Sequence, residues 1–383
     1  MQGSTDTTAL PGLDLRPLAR RAALAVGLAL VAVAVLVLAG GPLEAFADAL
    51  KRAIDADPRW IGAAAAFELL AFAGYVALLW LVGRRATRRL GLRQSAEVAL
   101  GGAAATRLLP TGGAGGAALT VWAFRRAGLD GRAAARTLLA FLVVLYSVFL
   151  ISIAVAGGLL ALGLASGGGS LALTALPALG AVAVIAGGLT LALRRPAPAA
   201  PVSRAADGAH RAARARAALA VGSATTGGAV RDAIALVRTG DPRLLGAIAW
   251  WAFDGAVLWA MLHALGAPPG LAVLVLAYFL GQIANTIPVP GAASGGMVGV
   301  LLAFGVEADL ALASVLAYRS VAIWLPAPLG VVALGGLRKT FARWAEEDTS
   351  TEAPAAAPVL TPRPEPVRLP VWPVPEPAAQ VAA

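Results

Sequence analysis

Four charged side chains stand inside stretches of sequence that are otherwise almost entirely apolar: Glu68, Arg107, Asp254 and Arg319. A charge at membrane depth costs about 3 kcal/mol or more, so such residues face the protein interior or a cavity. Two buried arginines suit an anionic group such as a lipid phosphate, because each guanidinium donates parallel hydrogen bonds to its oxygens. Internal pairing stays open as an alternative, with Arg319 next to Asp254 and Arg107 next to Glu68.

Neutral polar residues gather around a proline–glycine break in the second half of the chain, and they either line the same cavity or satisfy backbone groups. They are Gln282, Asn285, Thr286 and Ser294. Together with the arginines and the breaks they define a candidate substrate-binding set. That set comprises Arg107, Pro110, Gly112, Gly113, Asn285, Pro288, Pro290, Gly291, Ser294, Tyr318 and Arg319.

Catalytic and metal-binding patterns are weak. Neither His210 nor His263 has a metal-ligating partner four residues on, and no carboxylate pair or Ser-His-Asp set stands at reactive spacing. The glycine-rich residues 112–116 are not followed by the lysine of a phosphate-binding loop. The chain contains no cysteine. We therefore expect no enzyme activity, no cofactor and no metal.

The elements that must position these residues are long apolar blocks. Hydrophobic residues make up 59% of the chain and charged residues 14%, against roughly 25% charged residues in soluble domains. A bilayer crossing needs about 20 apolar residues. The blocks are residues 22–39, 60–83, 98–124, 137–165, 171–193, 244–267, 271–304 and 310–337. The net charge of +10 comes from arginines between the blocks, which is typical of membrane topology and argues against nucleic-acid binding.

Two blocks, 98–124 and 271–304, are broken by proline and glycine, which interrupt helices. If both enter and leave on one side, 24 loop arginines and lysines lie inside and three outside, as the positive-inside rule requires. The sequence thus predicts an all-α transmembrane bundle with six crossings and two opposed re-entrant hairpins, arranged as an inverted repeat. The alternative is that the glycines only allow close helix packing.

Three regions follow from this pattern: a cytoplasmic tail at 1–19, a membrane domain at 20–345 and a proline-rich tail at 346–383 that we expect to be disordered. Both termini are predicted to be cytoplasmic, in the plasma (inner) membrane. The last tail offers a docking strip for a cytoplasmic partner. The arginine-rich loop 204–243 is either an amphipathic segment on the inner leaflet or a plain solvated loop.

The broken segments resemble a known family. Residues 107–129, RLLPTGGAGGAALTVWAFRRAGL, and residues 281–306, GQIANTIPVPGAASGGMVGVLLAFGV, are similar to two signatures of the flippase-like transmembrane region of lysylphosphatidylglycerol synthases. Tyr318-Arg319, followed by the region 326–330, resembles a third. Members commonly carry an acidic residue after the second break, where this chain has Ser294.

The aminoacyl-transferase domain of the full synthases is missing from this sequence. The resemblance therefore implies lipid translocation or a related membrane role, and not lysine transfer. We expect a membrane protein that binds, and moves, an anionic lipid or lipid-linked precursor at a cavity near the midplane. Two alternatives remain, an integral-membrane transferase acting on lipid-linked sugars and a noncatalytic scaffold. The transferase would need Glu68 or Asp254 as a base.

Overall fold

The computed structural model describes residues 56–108, 114–194, 210–285 and 291–352, and within these ranges every regular element is a helix. This confirms the predicted all-α class. The helices are α1 (Pro58–Ala86), α2 (Leu92–Leu108), α3 (Ala114–Arg126), α4 (Gly131–Ala161), α5 (Leu171–Leu193), α6 (His210–Val237), a 3₁₀ turn (Pro242–Leu244), α7 (Leu245–Leu265), α8 (Leu271–Ala284), α9 (Ala292–Ala303), α10 (Ala308–Trp324) and α11 (Pro326–Glu352).

Five spans in the described ranges are long and apolar enough to cross a membrane. They are α1, α4, α5, the stretch Pro242–Leu265 and the stretch Ala308–Thr349, which contains α10 and α11. The chain is therefore a multi-pass membrane protein. The first predicted crossing, at 22–39, lies outside the described residues, as do Arg16, Arg20 and Arg21 before it.

Capping residues set where two of the spans begin. The Asp57 carboxylate accepts a hydrogen bond from the backbone N–H of Arg59 at the start of α1. Pro58 is tolerated at the first helical position because a backbone N–H there would have no partner within the helix. The Asp130 carboxylate accepts from the N–H groups of Arg132 and Ala133 at the start of α4, both at 2.8 Å. Each charged cap thus precedes a long apolar run and marks the residue at which that membrane span begins.

Each broken block folds into a helical hairpin. In the first, α2 and α3 touch through glycine, since a Cβ on Gly116 would meet the Thr106 hydroxyl and the carbonyl oxygen of Gly102. In the second, a Cβ on Gly281 would collide with Met297. The arms have 12 to 17 residues, or roughly 18–26 Å at 1.5 Å per residue. They are shorter than the hydrocarbon core, which is about 30 Å thick.

The two hairpins enter from opposite ends of the bundle. The first has both ends together, because the Thr87 hydroxyl before α2 donates to the Ala127 carbonyl after α3 at 3.0 Å. The second begins after Gly270 and ends at Phe304, and both residues lie against the loop 162–170. These two places are the opposite ends of α4, so the predicted pair of opposed hairpins is confirmed.

The order crossing, hairpin, crossing occurs twice: first as α1, α2–α3 and α4, then as α7, α8–α9 and α10. The first crossings of the two sets, α1 and α7, pack along each other. They meet at Gly74 and Gly246, where a Cβ on Gly74 would lie 2.8 Å from the Gly246 carbonyl oxygen. This recurrence is the element order expected of an inverted repeat.

Basic loops gather at one end, called here the basic end. An Arg85 guanidinium nitrogen donates to the Thr239 hydroxyl at 3.1 Å, and Arg136 forms an ion pair with Asp232, with one contact at 2.6 Å. The loops 84–93 and 125–136 and the described part of 194–243 therefore lie together, as the charge count predicts. Within 204–243 the chain is helical along α6.

Asp241 and Arg243 form an ion pair at this end, with 2.7 Å between Oδ2 and a guanidinium nitrogen. Hydrogen bonds from Arg243 lower the pKa of Asp241 to about 2. The same guanidinium lies 4.6 Å above the centre of the Trp80 ring. This pair joins the start of α7 to the last turns of α1 through a cation–π contact.

The α1–α7 crossing provides a stability prediction. We expect Gly246→Ala to lower the free energy of unfolding by about 1–3 kcal/mol, because the new methyl group would overlap the Gly74 carbonyl oxygen, which is fixed in the backbone of α1. Gly62→Ala on α1 is the control, since its Cβ would meet open space. Thermal unfolding of both variants in one detergent gives the comparison. Equal melting temperatures would contradict the close approach of the two helices.

The C-terminal part of the chain forms a separate unit that begins at Ala342, and all contacts described here belong to the unit that ends at Phe341. Helix α11 continues to Glu352. Residues 353–383 lie outside the described ranges, so the predicted proline-rich tail, its disorder and its partner stay predictions. The same holds for the domain boundaries at 20 and 345.

Candidate functional site

A hydrogen-bonded cluster of polar side chains lies midway along the spans. Asp254 on α7 is buried, as are Tyr278 on α8 and Tyr318 on α10. Both tyrosine hydroxyls donate to the same carboxylate oxygen, Oδ2 of Asp254, and the Tyr318 bond measures 3.0 Å. One carboxylate thus joins three helices, including an arm of the second hairpin.

Gln282 completes the cluster from the next turn of α8. Its amide nitrogen Nε2 lies 3.3 Å from the Tyr318 hydroxyl and 3.5 Å from Asp254 Oδ2. Tyr278 and Gln282 are four residues apart on one helix and so share a face. The Asp254 carboxylate oxygen is therefore surrounded by hydrogen-bond donors from α8 and α10.

Arg319 lies on α10 next to this cluster, and its side chain reaches the start of α9, the hairpin arm that follows the second break. Its Nε donates to the Ser294 hydroxyl on α9 at 3.2 Å. Other arginines in the described ranges form ion pairs, among them Arg85, Arg93, Arg136 and Arg243. Arg319 thus contacts a neutral hydroxyl and is not paired with Asp254, which resolves one alternative left open by the sequence.

This arrangement leaves binding capacity on the guanidinium. An arginine carries five N–H donors in a fixed plane, and the Ser294 contact uses one of them. Arg319 and Ser294 are only part-buried, whereas the tyrosine ring beside them is fully enclosed. The free edge of the guanidinium is suited to a phosphate or carboxylate.

Glu68 supplies a second acidic group at the same depth. It lies on α1, it is buried, and it is within electrostatic range of the Tyr318 hydroxyl. The predicted pairing of Glu68 with Arg107 falls outside the described side chains, since only the backbone of Arg107 is described, as part of α2.

Two cavities flank the cluster. Cavity 1, of about 320 Å³, runs from Glu68 at mid-depth to Leu92 near the basic end, and its other walls are apolar side chains of α1, α2 and the α10–α11 junction. Cavity 2, of about 370 Å³, runs along α7 from Ile248 in its first turn to Trp259, and Tyr278 of the cluster lies in its wall. The cluster thus reaches the wall of cavity 2 through Tyr278, whereas Glu68 lines cavity 1.

An aromatic wall holds the second cavity in place. The Trp251 indole N–H donates to the Leu145 carbonyl at 2.7 Å and so ties α7 to α4. Phe279 on α8 contacts both Trp251 and Phe149, with ring centres 5.6 and 4.9 Å apart. Such packed rings define one rigid arrangement of α4, α7 and α8.

The predicted substrate-binding residues divide into three groups. Ser294, Tyr318 and Arg319 come together at the cluster. Asn285 ends α8 and is exposed, and Gly291 begins α9 with a φ of 82°, a left-handed conformation that favours glycine. The remainder lie outside the described residues or, for Arg107, outside the described side chains: Arg107, Pro110, Gly112, Gly113, Pro288 and Pro290.

The sequence pattern did not single out Tyr278, whose hydroxyl bonds to Asp254. Its spacing of four residues from Gln282 is the one signal that could have revealed it. Asp254 and Glu68 were recognised as intramembrane charges but were not included in the binding set.

Fold and site together define a multi-pass α-helical membrane protein with two opposed hairpins, the second of which contributes Tyr278 and Gln282 to a buried polar cluster. Residues 22–330 match the family described as the lysylphosphatidylglycerol synthase TM region, and the chain belongs to this family. The match covers the helices that carry the whole cluster. No individual curated protein matches the chain.

Proposed function

We propose that this protein binds the phosphate of an anionic lipid or lipid-linked precursor at Arg319 and moves that lipid between the two leaflets. The observation that carries the proposal is the part-buried Arg319 guanidinium at mid-depth. Among the described side chains its hydrogen-bond partner is the Ser294 hydroxyl, which uses one of its five N–H donors. A permanent charge at this depth marks a functional site by default. Membership in the family supports a membrane role for the chain.

The cavities give the rest of the lipid a place. Cavity 1 and cavity 2 are lined almost entirely by apolar side chains, so alkyl chains can lie in either of them while the head group crosses at the cluster. In this proposal the basic end faces the cytoplasm of the plasma (inner) membrane, because the basic loops gather there.

A transferase acting on lipid-linked sugars is the second candidate, and the observation in its favour is Glu68 in the wall of cavity 1. A carboxylate beside a substrate cavity can serve as a general base. Asp254 is a weaker candidate for that role, because one of its oxygens already accepts two tyrosine hydroxyls. Glu68→Gln separates the candidates, since a transferase would lose turnover and keep lipid binding.

The test is reconstitution of the full chain into phosphatidylcholine vesicles that contain a trace of fluorescent phosphatidylglycerol. We expect a membrane-impermeant reductant to bleach the outer-leaflet label at once and then the inner-leaflet label as the protein moves it. Protein-free vesicles and a fluorescent phosphatidylcholine serve as controls for leakage and for anionic selectivity. An inner-leaflet pool that stays protected in the presence of folded protein would contradict transport and favour a scaffold.

A further inference from the structure

Cavity 2 is a groove between one face of α7 and one face of α8. Ile248, Gly255 and Trp259 line it from α7, and Leu271 and Tyr278 line it from α8. Residues three, four and seven apart share one side of a helix, so these spacings place the lining residues of each helix in a row. The groove therefore runs parallel to the helix axes.

The groove has the dimensions of one hydrocarbon chain. Ile248 and Trp259 are eleven residues apart on α7, or roughly 16 Å at 1.5 Å per residue. That length is close to one leaflet's share, about 15 Å, of the hydrocarbon core of a bilayer. A tube of this length and about 370 Å³ is about 5 Å across, whereas a helix with its side chains is about 10–12 Å across. The space thus suits one extended chain and excludes a helix of another protein.

The chemistry of the walls also matches an uncharged chain. Among the described residues that line cavity 2, none is charged. The Ser152 hydroxyl donates to the Val148 carbonyl at 2.9 Å, and the donors of Trp251 and Tyr278 are used on α4 and on α7. The wall of cavity 1, by contrast, contains the Glu68 carboxylate. Of the two cavities, cavity 2 is therefore the one whose contacts to a ligand are apolar.

Small side chains keep this space open to the bilayer. Ala252, Gly255 and Ala256 form the part of α7 that faces the cavity, and two other lining residues, Ile248 and Leu271, are exposed. Protein interiors leave few voids larger than a water molecule, because atoms around a void lose dispersion contacts. Since α7 belongs to a membrane span, the medium beside the groove is hydrocarbon. A lipid chain supplies the missing contacts there.

We propose that cavity 2 binds one hydrocarbon chain of a membrane lipid along α7, with the head group outside the cavity, and that the length of the cavity sets which chains are bound most tightly. The bound lipid is the transported one only under the proposed function, on which that part of the inference rests. Binding of the chain itself needs no transport.

The test uses lysophosphatidylglycerol, which carries a single chain, in a series from about 8 to about 18 carbons. Its retention by the purified full chain is measured in native mass spectrometry, with each lipid titrated into the same detergent. We expect the affinity to rise by up to about fourfold per methylene. The rise should stop once the chain is as long as the groove, roughly 16 Å.

Ala256→Trp places an indole in the groove, so it should remove the rise and leave every chain with the affinity of the shortest one. Ala186→Trp on α5 is the matched control, because it adds the same ring at an exposed position away from cavity 2. The control should keep the wild-type dependence on chain length. Ala252→Leu, which narrows the same groove with a smaller side chain, serves as a second variant if Ala256→Trp folds poorly, and it should weaken the rise.

The outcomes separate this groove from the proposed function. An affinity that is independent of chain length in the wild type overturns the groove, and so does a rise that survives both Ala256→Trp and Ala252→Leu, since it would then come from unspecific adhesion to the apolar surface. If the wild type moves fluorescent phosphatidylglycerol in vesicles while either result holds, the proposed function stands without the groove. A rise that Ala256→Trp removes, in a protein that moves no lipid, supports the groove and overturns the proposed function.

Discussion

Arg319→Leu is expected to weaken binding of phosphatidylglycerol by about 100-fold, and Arg319→Lys is expected to restore it only in part. The leucine variant removes all the guanidinium donors of Arg319 and leaves Ser294 without its partner. Lysine restores the charge but offers a single ammonium in place of two parallel donors, so it cannot hold a phosphate in the same geometry. The measurement is lipid retention by the purified protein in native mass spectrometry, with the lipid titrated into detergent.

Arg338→Leu is the matched control, because it removes the same charge from an exposed position on α11, away from the cluster. Its lipid affinity should stay close to that of the wild type. If Arg319→Leu and Arg319→Lys both bind phosphatidylglycerol as the wild type does, Arg319 has no part in the site. The hydrogen bond between Arg319 and Ser294 would then be a purely structural tie between α9 and α10.

The hairpins were predictable from sequence because two independent physical signals coincide at each of them. Proline and glycine stop a helix within an apolar block, and the positive-inside count requires the block to return to the side it came from. Glycines within the arms let them touch, as Gly116 in α3 and Gly281 in α8 show. Chain order then places the second hairpin at the opposite end, since three spans, α4, α5 and α7, cross in between.

The partners of the charged residues were not predictable in the same way. Adjacent residues on a helix point about 100° apart, so Tyr318 and Arg319 reach different neighbours, Asp254 on α7 and Ser294 on α9. The sequence alone allowed Asp254 to pair with Arg319, because the rotation of α10 about its axis was unknown. That rotation is set by packing against two helices distant in the chain.

The role of Tyr278 depends on a similar tertiary detail. In the sequence, Tyr278 is one of many large residues in the apolar run of α8, and nothing in that run marks it as polar. Its ring lies against Gly255, where an added Cβ would be 3.6 Å from the ring, and this contact brings its hydroxyl to the neighbouring Asp254. A pattern of hydrophobicity along one helix carries no information about which residue of another helix will be small at the crossing.

Labelling of single cysteines from outside the cell is expected to give an all-or-none result for the orientation of the bundle. Ala135, near the start of α4, is exposed at the basic end, and Leu164, in the loop after α4, is exposed at the other end. A membrane-impermeant maleimide should label Leu164→Cys in intact cells. It should label Ala135→Cys only after the membrane is permeabilised, because 24 loop arginines and lysines favour the cytoplasm at that end.

The choice of these two positions follows from the backbone. Gly128, in the middle of the basic loop after α3, has a φ of 96°, and a cysteine there would be strained whichever side it faced. Ala135 is helical and exposed, so the substitution leaves the local structure intact. Because one helix joins the two labelled sites, they must lie on opposite sides of the membrane if α4 crosses it. Labelling of both in intact cells would contradict the crossing, and labelling of Ala135→Cys alone would reverse the orientation and put the first hairpin on the outside.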